Sequence, residues 1–266
     1  MKEPYTIRIS SQKGGVGKTT IAVNLAIALA LEDFKVILID GDMISPSVGF
    51  LLGMHEVSIG IREVMENKVS PQRAIVRHES GFDVLPGTQK LKQLPSQKDM
   101  AMALRKAKDV AKKEKYDFMI ADTAPGYWFP ELARLYDEAL IVSTMSMPSL
   151  TSAIRFGELY FKERVKHNFA LNRVTNKRYD VSVKEAEDVL GQRVIAAFPE
   201  DPAVPRAESV HIPVYVYKRS SPFAVEARTL ARYYAVKRGG GIRGSQLEVR
   251  SVNPFVRFFR RLFGVH

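Results

Sequence analysis

The 266-residue chain contains no cysteine. Without thiolates it cannot form disulfides, bind a metal through sulfur, hold an iron–sulfur cluster or use a cysteine nucleophile. It also has no run of eighteen apolar residues, which excludes a membrane-spanning helix, and its start lacks the apolar stretch of a secretory signal. These absences together predict a cytoplasmic protein.

Apolar residues make up 45% of the sequence and charged residues 26%, which is the balance of a folded globular protein. The net charge of +11 is unevenly distributed. Residues 237–266 hold seven lysines and arginines against one acid, Glu248, and so carry six of these charges. A basic C-terminal segment predicts an anionic partner, either a membrane surface or nucleic acid, although a merely solvated tail is the alternative.

Strand-like apolar runs alternate with helical patterns through most of the chain. Strands are predicted at 5–10, 34–40, 116–122, 137–144, 167–173, 192–198 and 214–218, with a possible short pair at 74–77 and 82–85. Helices are predicted at 19–32, 97–114, 149–164, 182–190 and 222–237. This alternation predicts an α/β fold with a mostly parallel twisted sheet flanked by helices on both faces. Ligands are then expected at the carboxyl ends of the strands.

Composition also predicts where the domain ends. The globular pattern covers residues 1–238, and a glycine-rich linker follows at 239–252. Residues 253–266 form a separate short segment beyond the linker.

Residues 13–20 read Lys-Gly-Gly-Val-Gly-Lys-Thr-Thr between a predicted strand and a predicted helix. Glycines let successive backbone N–H groups cradle phosphate oxygens, and the helix start adds partial positive charge. In such a loop Lys18 reaches the β- and γ-phosphates and the Thr19 hydroxyl ligates magnesium. The sequence therefore predicts a phosphate loop that binds ATP and Mg²⁺, formed by Gly14, Gly15, Val16, Gly17, Lys18, Thr19 and Thr20.

A second lysine, Lys13, directly precedes the glycine pair, and Gln12 stands where the usual pattern has glycine. The loop thereby resembles the deviant Walker A loop of the MinD and ParA family of positioning ATPases. The resemblance implies a P-loop NTPase fold, catalytic roles for Lys13 and Lys18, and an ATP-dependent homodimer in which Lys13 crosses to the partner's nucleotide. An added cation would stabilise the charge that accumulates between phosphates, as an arginine finger does elsewhere.

Three carboxylates follow predicted strands. Asp40 and Asp42 end the second strand, two positions apart, so an extended backbone projects both to one side. Taken alone, Asp-Gly-Asp is most often a turn. The resemblance implies that Asp42 orients the attacking water, that Asp40 supports the magnesium shell, and that Asp122 is the Walker B acid holding magnesium. It also places Gly126 in the second switch, which approaches the γ-phosphate.

Two further motifs match the family's adenine contacts. Asn172-Arg173 ends a predicted strand and resembles the family's adenine-recognising asparagine, whereas Pro199, Glu200 and Asp201 match the loop that lines the base. Either motif alone would indicate only a turn.

Three aromatic residues, Tyr127-Trp128-Phe129, directly follow Gly126. Because they cannot all face one core, the sequence leaves open whether Trp128 is buried or contacts a partner subunit or regulator.

The segment 253–266 has one apolar stripe at helical spacing, with arginines on the other side. The stripe consists of Phe255, Phe258, Phe259, Leu262 and Phe263, and the arginines are Arg257, Arg260 and Arg261. A basic amphipathic helix of this composition predicts an anchor on anionic membrane. Docking on its own domain or in a partner's groove are the alternatives. The segment also resembles the membrane-targeting helix of the MinD branch of the family.

The family resemblance implies an ATPase that dimerises with Mg-ATP. Together with the basic tail, it predicts that the dimer binds the inner face of the cell membrane and leaves after hydrolysis. Its expected task is positioning of the division site or another structure, under a protein regulator. One alternative is a ParA-like DNA-partitioning ATPase that binds phosphates without sequence preference. Another is an adaptor whose nucleotide site regulates a protein partner. The absence of cysteine excludes the iron–sulfur scaffold role of some relatives.

Overall fold

The computed structural model describes residues 3–54, 56–88, 96–175 and 181–239. One eight-stranded sheet runs through this part of the chain. Its strands are β1 Tyr5–Ser10, β2 Val36–Gly41, β3 Val76–Arg77, β4 Asp83–Leu85, β5 Phe118–Thr123, β6 Glu138–Thr144, β7 Lys166–Val174 and β8 Ala196–Pro199. The spatial order is β3-β4-β2-β5-β1-β6-β7-β8, and every neighbouring pair is parallel except β3 with β4.

Helices connect the strands. Those in the described ranges are α1 Lys18–Leu31, α2 Val48–Leu51, α3 Ile61–Met65, α4 Pro71–Ala74, α5 Gln97–Lys113, α6 Pro130–Ala133, α7 Met147–Lys162, α8 Val183–Leu190, α9 Ala203–Ser209, α10 Val214–Tyr217 and α11 Pro222–Lys237. None of the helices described is long and apolar enough to span a bilayer. The predicted α/β fold is confirmed, including the short pair β3 and β4.

The sheet buries both of its faces, as the near-continuous apolar strands predict. Along β5, Phe118 and Ile120 pack toward α1 and α11, whereas Met119 and Ala121 pack toward α5. A third cluster lies between β6, β7, α7 and α8. Helices therefore cover the sheet on both sides.

The strand predicted at 214–218 is wrong, because Val214–Tyr217 form the short helix α10. The Pro213 carbonyl accepts a hydrogen bond from the Tyr217 amide at 2.8 Å, which closes a helical turn. Asn24 of α1 accepts from the Tyr215 amide at 2.7 Å and fixes that turn against the core. The valines and tyrosines of α10 have high strand propensity, but that propensity reflects packing context more than an intrinsic backbone preference. Here the tertiary contacts hold these residues in a helical turn.

The shortest helices escaped prediction for a simpler reason. Helices α2, α3, α4, α6 and α9 have between four and seven residues, too few for a helical period to stand out in the sequence. The longer helices agree with prediction to within about two residues at each end, the usual uncertainty of helix boundaries.

Strand β1 lies at the point where the strand order reverses. The chain moves from β1 toward β2 on one side, and the later strands β6, β7 and β8 extend the sheet on the other. A crevice opens at the carboxyl ends of the strands at such a point, which is the usual ligand position in open α/β sheets. The loop between β1 and α1 begins there.

Candidate functional site

The loop from Ser11 to Gly17 joins β1 to α1. Gly15 and Gly17 have φ angles of +71° and +94°, which glycine reaches without strain. Val16 is buried and anchors the loop, while Gly14 and Gly15 are exposed. The Ser11 hydroxyl donates to the Lys13 carbonyl at 2.7 Å and stabilises the turn. The loop therefore presents its backbone toward the crevice, as a phosphate-binding loop requires.

Gly17 is required for a second reason. The Asn172 side chain donates to the Val16 carbonyl at 2.8 Å, and a Cβ at position 17 would lie 2.1 Å from the same amide nitrogen. No side chain could be accommodated there without displacing Asn172. The predicted base-binding residue and the phosphate loop are thus in direct contact.

Lys18 and Thr19 begin α1 and meet the end of β5. Lys18 is buried, and the Thr19 hydroxyl donates to Oδ2 of Asp122 at 2.5 Å. The same hydroxyl lies 3.0 Å from the hydroxyl of Ser47, a residue that the sequence analysis did not single out. The start of α1, the end of β5 and the segment after β2 therefore meet at the Thr19 hydroxyl.

Asp40 and Asp122 pair in register across β2 and β5. The strand alternation that points Leu38 and Ile120 toward α1 points both carboxylates the same way. Burial raises the pKa of Asp40 well above its ordinary value, and the nearby Asp122 raises it further. Burial also raises the pKa of Asp122 to about 6, although the charge of Lys18 opposes the shift.

This pair fits a hard divalent cation. Oδ1 of Asp122 is buried and has no hydrogen-bond partner within the described part of the chain. No group of three or more histidine, acidic or cysteine side chains in those ranges could hold a metal alone. Mg²⁺ needs no such group, because it is usually bound by one or two carboxylates together with waters and substrate phosphates. Asp122 and Thr19, with Asp40 behind them, match that donor set.

Asp42 lies beside the crevice and also shapes its own loop. One of its carboxylate oxygens accepts from the amides of Ile44 and Ser45 at 3.1 and 2.9 Å, and its amide donates to Asp40 at 3.3 Å. The turn is therefore present, and it leaves Asp42 lining the same cavity as Lys18.

Two neighbouring cavities lie along the carboxyl edge. One of about 620 Å³ is lined by the phosphate loop, Asp42 and Ser47, and another of about 780 Å³ by Asn172 and the segment after β8. Both are within the usual size of ligand pockets. Four residues line both cavities, namely Gly17, Thr20, Arg173 and Glu208. A ligand with an apolar ring at one end and phosphates at the other could occupy the pair.

The residues predicted to line the base lie in the larger cavity, but not all of their side chains are available to a ligand. Asp201 accepts from the amides of Ala203 and Phe223 at 2.8 and 3.1 Å, so its carboxylate holds the starts of α9 and α11. Arg173 has a φ angle of +55° where the pairing of β7 with β8 shifts register. The irregularity brings Arg173 to the wall of both cavities, next to Asn172.

Glu208 of α9 was missed by sequence reasoning. Its carboxylate accepts from the Thr20 hydroxyl at 2.7 Å, and both residues line both cavities. No sequence motif marks this residue, because its partner Thr20 lies 188 positions earlier in the chain. Only the folded chain brings the two together.

The loop after β5 lies over the phosphate loop. Gly126 has a φ angle of +66°, and its amide donates to the Ser11 carbonyl at 2.7 Å. Ala124 and Pro125 line the phosphate cavity. The aromatic run that follows divides between two cores: Phe129 is buried against the α5 side, whereas Trp128 packs edge-on against Tyr160 of α7 at a centroid distance of 4.6 Å.

Sequence comparison now bears on this geometry. A family model described as an AAA domain matches residues 5–152. An uncharacterized ATP-binding protein of Methanocaldococcus jannaschii is 31% identical over 233 residues, covering 86% of this chain and 87% of the relative. The septum site-determining protein MinD of Thermotoga maritima is 30% identical over 222 residues, covering 78% and 80%. The chain belongs to the MinD/ParA family of P-loop ATPases.

The fold agrees with this assignment. The solved structure of the septum site-determining protein MinD of Pyrococcus horikoshii OT3, complexed with Mg-ADP, superposes with a TM-score of 0.77 at 28% identity. The match covers 89% of this chain and 98% of that one. The MinD/ParA resemblance first seen at Lys13 to Thr20 is therefore confirmed over most of the chain.

Two sets of residues predicted from the resemblance remain to be placed. Lys13 is exposed, and its ammonium has no hydrogen-bond or ion-pair partner among the residues that the structure describes. The predicted linker beyond Gly239 and the amphipathic segment 253–266 lie outside the described residues. The roles of these residues stay predictions.

Proposed function

We propose that the chain binds and hydrolyses Mg-ATP at the carboxyl edge of its sheet. The observation that carries the proposal is the meeting of Thr19 with the buried acid Asp122, whose second oxygen lacks a partner, directly below the phosphate loop. A bound Mg²⁺ would supply charge neutralisation for the phosphates. Asp122 and Thr19 would hold it, and Asp40 would support that arrangement from the neighbouring strand.

The remaining side chains divide the work. Lys18, on the first turn of α1, binds the phosphates, while Asn172, Pro199 and Glu200 face the base. Asp42 is proposed to orient the attacking water, since its carboxylate lines the phosphate cavity and is held by its own turn. Ordered donors and acceptors of this kind act by positioning and by electrostatic stabilisation of the transferred phosphoryl group.

We further propose that ATP binding brings two copies together face to face. Lys13 is exposed beside the phosphate cavity and has no partner within the described ranges, so it is available to cross to a second copy. Exposed apolar side chains lie on the same edge: Ile44 and Phe50, each 53% exposed, line the phosphate cavity, and Met147 at the start of α7 is 48% exposed. A second copy would cover them and would exclude water from the phosphates.

The C-terminal segment is proposed to attach this dimer to an anionic membrane. Helix α11 ends at Lys237, which is ion-paired with Glu138 at the start of β6. The chain therefore leaves the domain at the edge opposite the nucleotide cavities, where a tail would not obstruct them. Two tails on one dimer raise avidity by about 10²–10⁴ over a single tail. Hydrolysis would separate the subunits and release both.

The proposed task is spatial positioning, of the division site or of another cellular structure, under a protein regulator. Support comes from the relative named as a septum site-determining protein. The same nucleotide cycle would also suit DNA partitioning or a protein adaptor. These functions differ in what the nucleotide-bound protein binds: a membrane, DNA or another protein.

The test of the nucleotide cycle is hydrolysis and mass in solution. We expect Mg-dependent release of phosphate from ATP, and light scattering should give a dimer with a non-hydrolysable ATP analogue and a smaller species with ADP. Lys13→Ala should keep ADP binding and lose both dimer and hydrolysis. A dimer that forms equally without nucleotide would contradict the coupling.

Sedimentation with vesicles tests the anchor. Full-length protein should pellet with vesicles containing anionic lipid in the presence of ATP, and a version ending at Arg238 should stay in the supernatant. Salt-sensitive DNA retention by that shorter version would favour partitioning instead. Behaviour independent of nucleotide in both assays would favour an adaptor.

A further inference from the structure

The central strand carries a buried arginine that the nucleotide site does not explain. Arg8 of β1 is 0% exposed, and no carboxylate pairs with it among the described residues. Its neighbours in sequence, Ile7 and Ile9, point into the α1 core, so Arg8 points to the opposite face of the sheet. A buried charge without an ionic partner is destabilising.

Arg8 donates hydrogen bonds to the loop after β5. Its Nε donates to the Thr123 hydroxyl at 3.3 Å, and its Nη2 donates to the carbonyl of Tyr127. These two acceptors lie at the two ends of the loop 123–127. The guanidinium also lies 5.7 Å from the ring centroid of Tyr160 on α7. The remaining nitrogen, Nη1, is buried and has no partner in the described ranges.

The loop that Arg8 holds is in an arrangement that does not yet suit a triphosphate. The Gly126 amide donates to the Ser11 carbonyl of the phosphate loop at 2.7 Å. The family resemblance implies that Gly126 approaches the γ-phosphate, and an amide that did so could not keep its hydrogen bond to Ser11 with good geometry. The loop must therefore shift when ATP binds, while both of its ends are tied to Arg8.

We propose that Arg8 is a positioning residue that holds the loop 123–127 in this arrangement and thereby sets how strongly the site distinguishes ATP from ADP. This inference rests on the proposed function. The hydrogen bonds from the guanidinium stabilise the arrangement in which Gly126 is bonded to Ser11, and binding of a γ-phosphate has to overcome them.

Two substitutions at Arg8 and one control test the inference. Arg8→Met fills the space without any hydrogen-bond donor, whereas Arg8→Lys keeps the positive charge but has fewer hydrogen-bond donors. Tyr160→Phe is the control, because it keeps the ring beside the guanidinium and removes only the hydroxyl that donates to Ser10 at 3.1 Å. Full-length proteins are titrated with a fluorescent ADP and with a non-hydrolysable ATP analogue, under Mg²⁺ and at one salt concentration.

The expected result is a change in the ratio of ATP-analogue affinity to ADP affinity, while ADP affinity itself stays nearly constant. Arg8→Met should leave ADP affinity within about twofold of wild type and raise affinity for the ATP analogue about tenfold, the effect of losing a charged hydrogen bond. Arg8→Lys should lie between, and Tyr160→Phe should match wild type. Hydrogen exchange of peptides covering 123–130 should quicken in both Arg8 variants without nucleotide, while peptides covering β6 stay unchanged.

Each other outcome is decisive. Equal discrimination in wild type and Arg8→Lys, or exchange that quickens equally in β6, would overturn the inference and leave Arg8 a structural core residue. If Arg8→Met does not fold, Arg8→Lys and the exchange of its loop peptide decide alone. Wild-type protein that neither binds nor hydrolyses ATP would refute the proposed function itself, which is a separate result.

Discussion

The substitution Asp122→Asn should stabilise the protein while it removes hydrolysis. Asp122 is buried at the end of β5, and only one of its oxygens accepts a hydrogen bond, from Thr19. Its pKa is raised from 3.8 to about 6, chiefly by burial. A shift of about two units corresponds to about 3 kcal/mol of destabilisation when the carboxylate is charged.

Asparagine removes this charge but brings an amide whose donors need partners, which costs about 1 kcal/mol. We therefore expect Asp122→Asn to raise the free energy of unfolding by about 2 kcal/mol at pH 7.5 without nucleotide or metal. For a domain of this size that is a rise of about 4–8 °C in melting temperature. Mg-ADP should stabilise the wild type and should add less to the variant, because the substitution removes a proposed metal ligand.

The pH dependence has a defined sign. The folded pKa of Asp122, about 6, exceeds the unfolded value, so the folded state binds the proton more tightly. Its destabilising effect is therefore absent below about pH 4 and develops as the pH rises through 6. The stability advantage of Asp122→Asn should grow over the same interval.

Urea denaturation at several pH values measures this advantage, with Asp109→Asn on the exposed side of α5 as a matched control. The control should stay within about 0.5 kcal/mol of wild type, as most surface substitutions do. If Asp122→Asn were no more stable than wild type at pH 7.5, and the gap between them did not change with pH, the carboxylate would not be paying a desolvation cost.

Four further predictions concern other parts of the chain. Lys18→Ala should weaken ATP binding at least about tenfold in a fluorescence titration. Asp42→Ala should still bind ATP and should accumulate as a dimer by light scattering. Rapid single-turnover hydrolysis by Asp42→Ala would show that Asp42 does not orient the attacking water. Glu138 is fully buried and accepts from two tyrosines, an asparagine and a lysine, so Glu138→Ala should cost about 3–5 kcal/mol in chemical denaturation. Burial lowers the pKa of His78, so the unfolded state gains the proton first and wild-type stability should fall as the pH drops below about 6.5. His78→Asn keeps an acceptor for the Ser80 amide and should fall less over that interval.

The sheet could be predicted largely because its strands are buried on both faces. Residues 118–121 and 139–142 form continuous apolar runs, and they stand out against the polar helical patterns between them. The phosphate loop was predictable because its chemistry requires glycines and a Gly-Lys-Thr at fixed spacing. Local constraints of these kinds leave their mark in consecutive residues.

What escaped prediction depends on contacts between remote residues. Val214–Tyr217 read as a strand, but Asn24 and the α1 core hold them as a helical turn. Glu208 has no local signature, since it is the fold that brings it to the cavities beside Thr20, 188 positions away. The register that pairs Asp40 with Asp122 required the strand order, which places β2 beside β5 although much of the chain separates them.

The end of β5 joins two destabilising features of opposite charge. Asp122 faces α1 and the proposed metal, whereas the next residue, Thr123, accepts from the buried Arg8 on the opposite face of the sheet. A fold selected for stability alone would replace both charges with apolar residues. Because the two residues are adjacent on one strand, a metal drawn to Asp122 and a guanidinium holding the loop after it act on the same backbone. Their effects should therefore not add: in a double-mutant cycle, Arg8→Met should change the discrimination between ATP and ADP in the wild type and should change it several-fold less in Asp122→Asn. Additive effects would mean that metal and loop respond to the nucleotide independently.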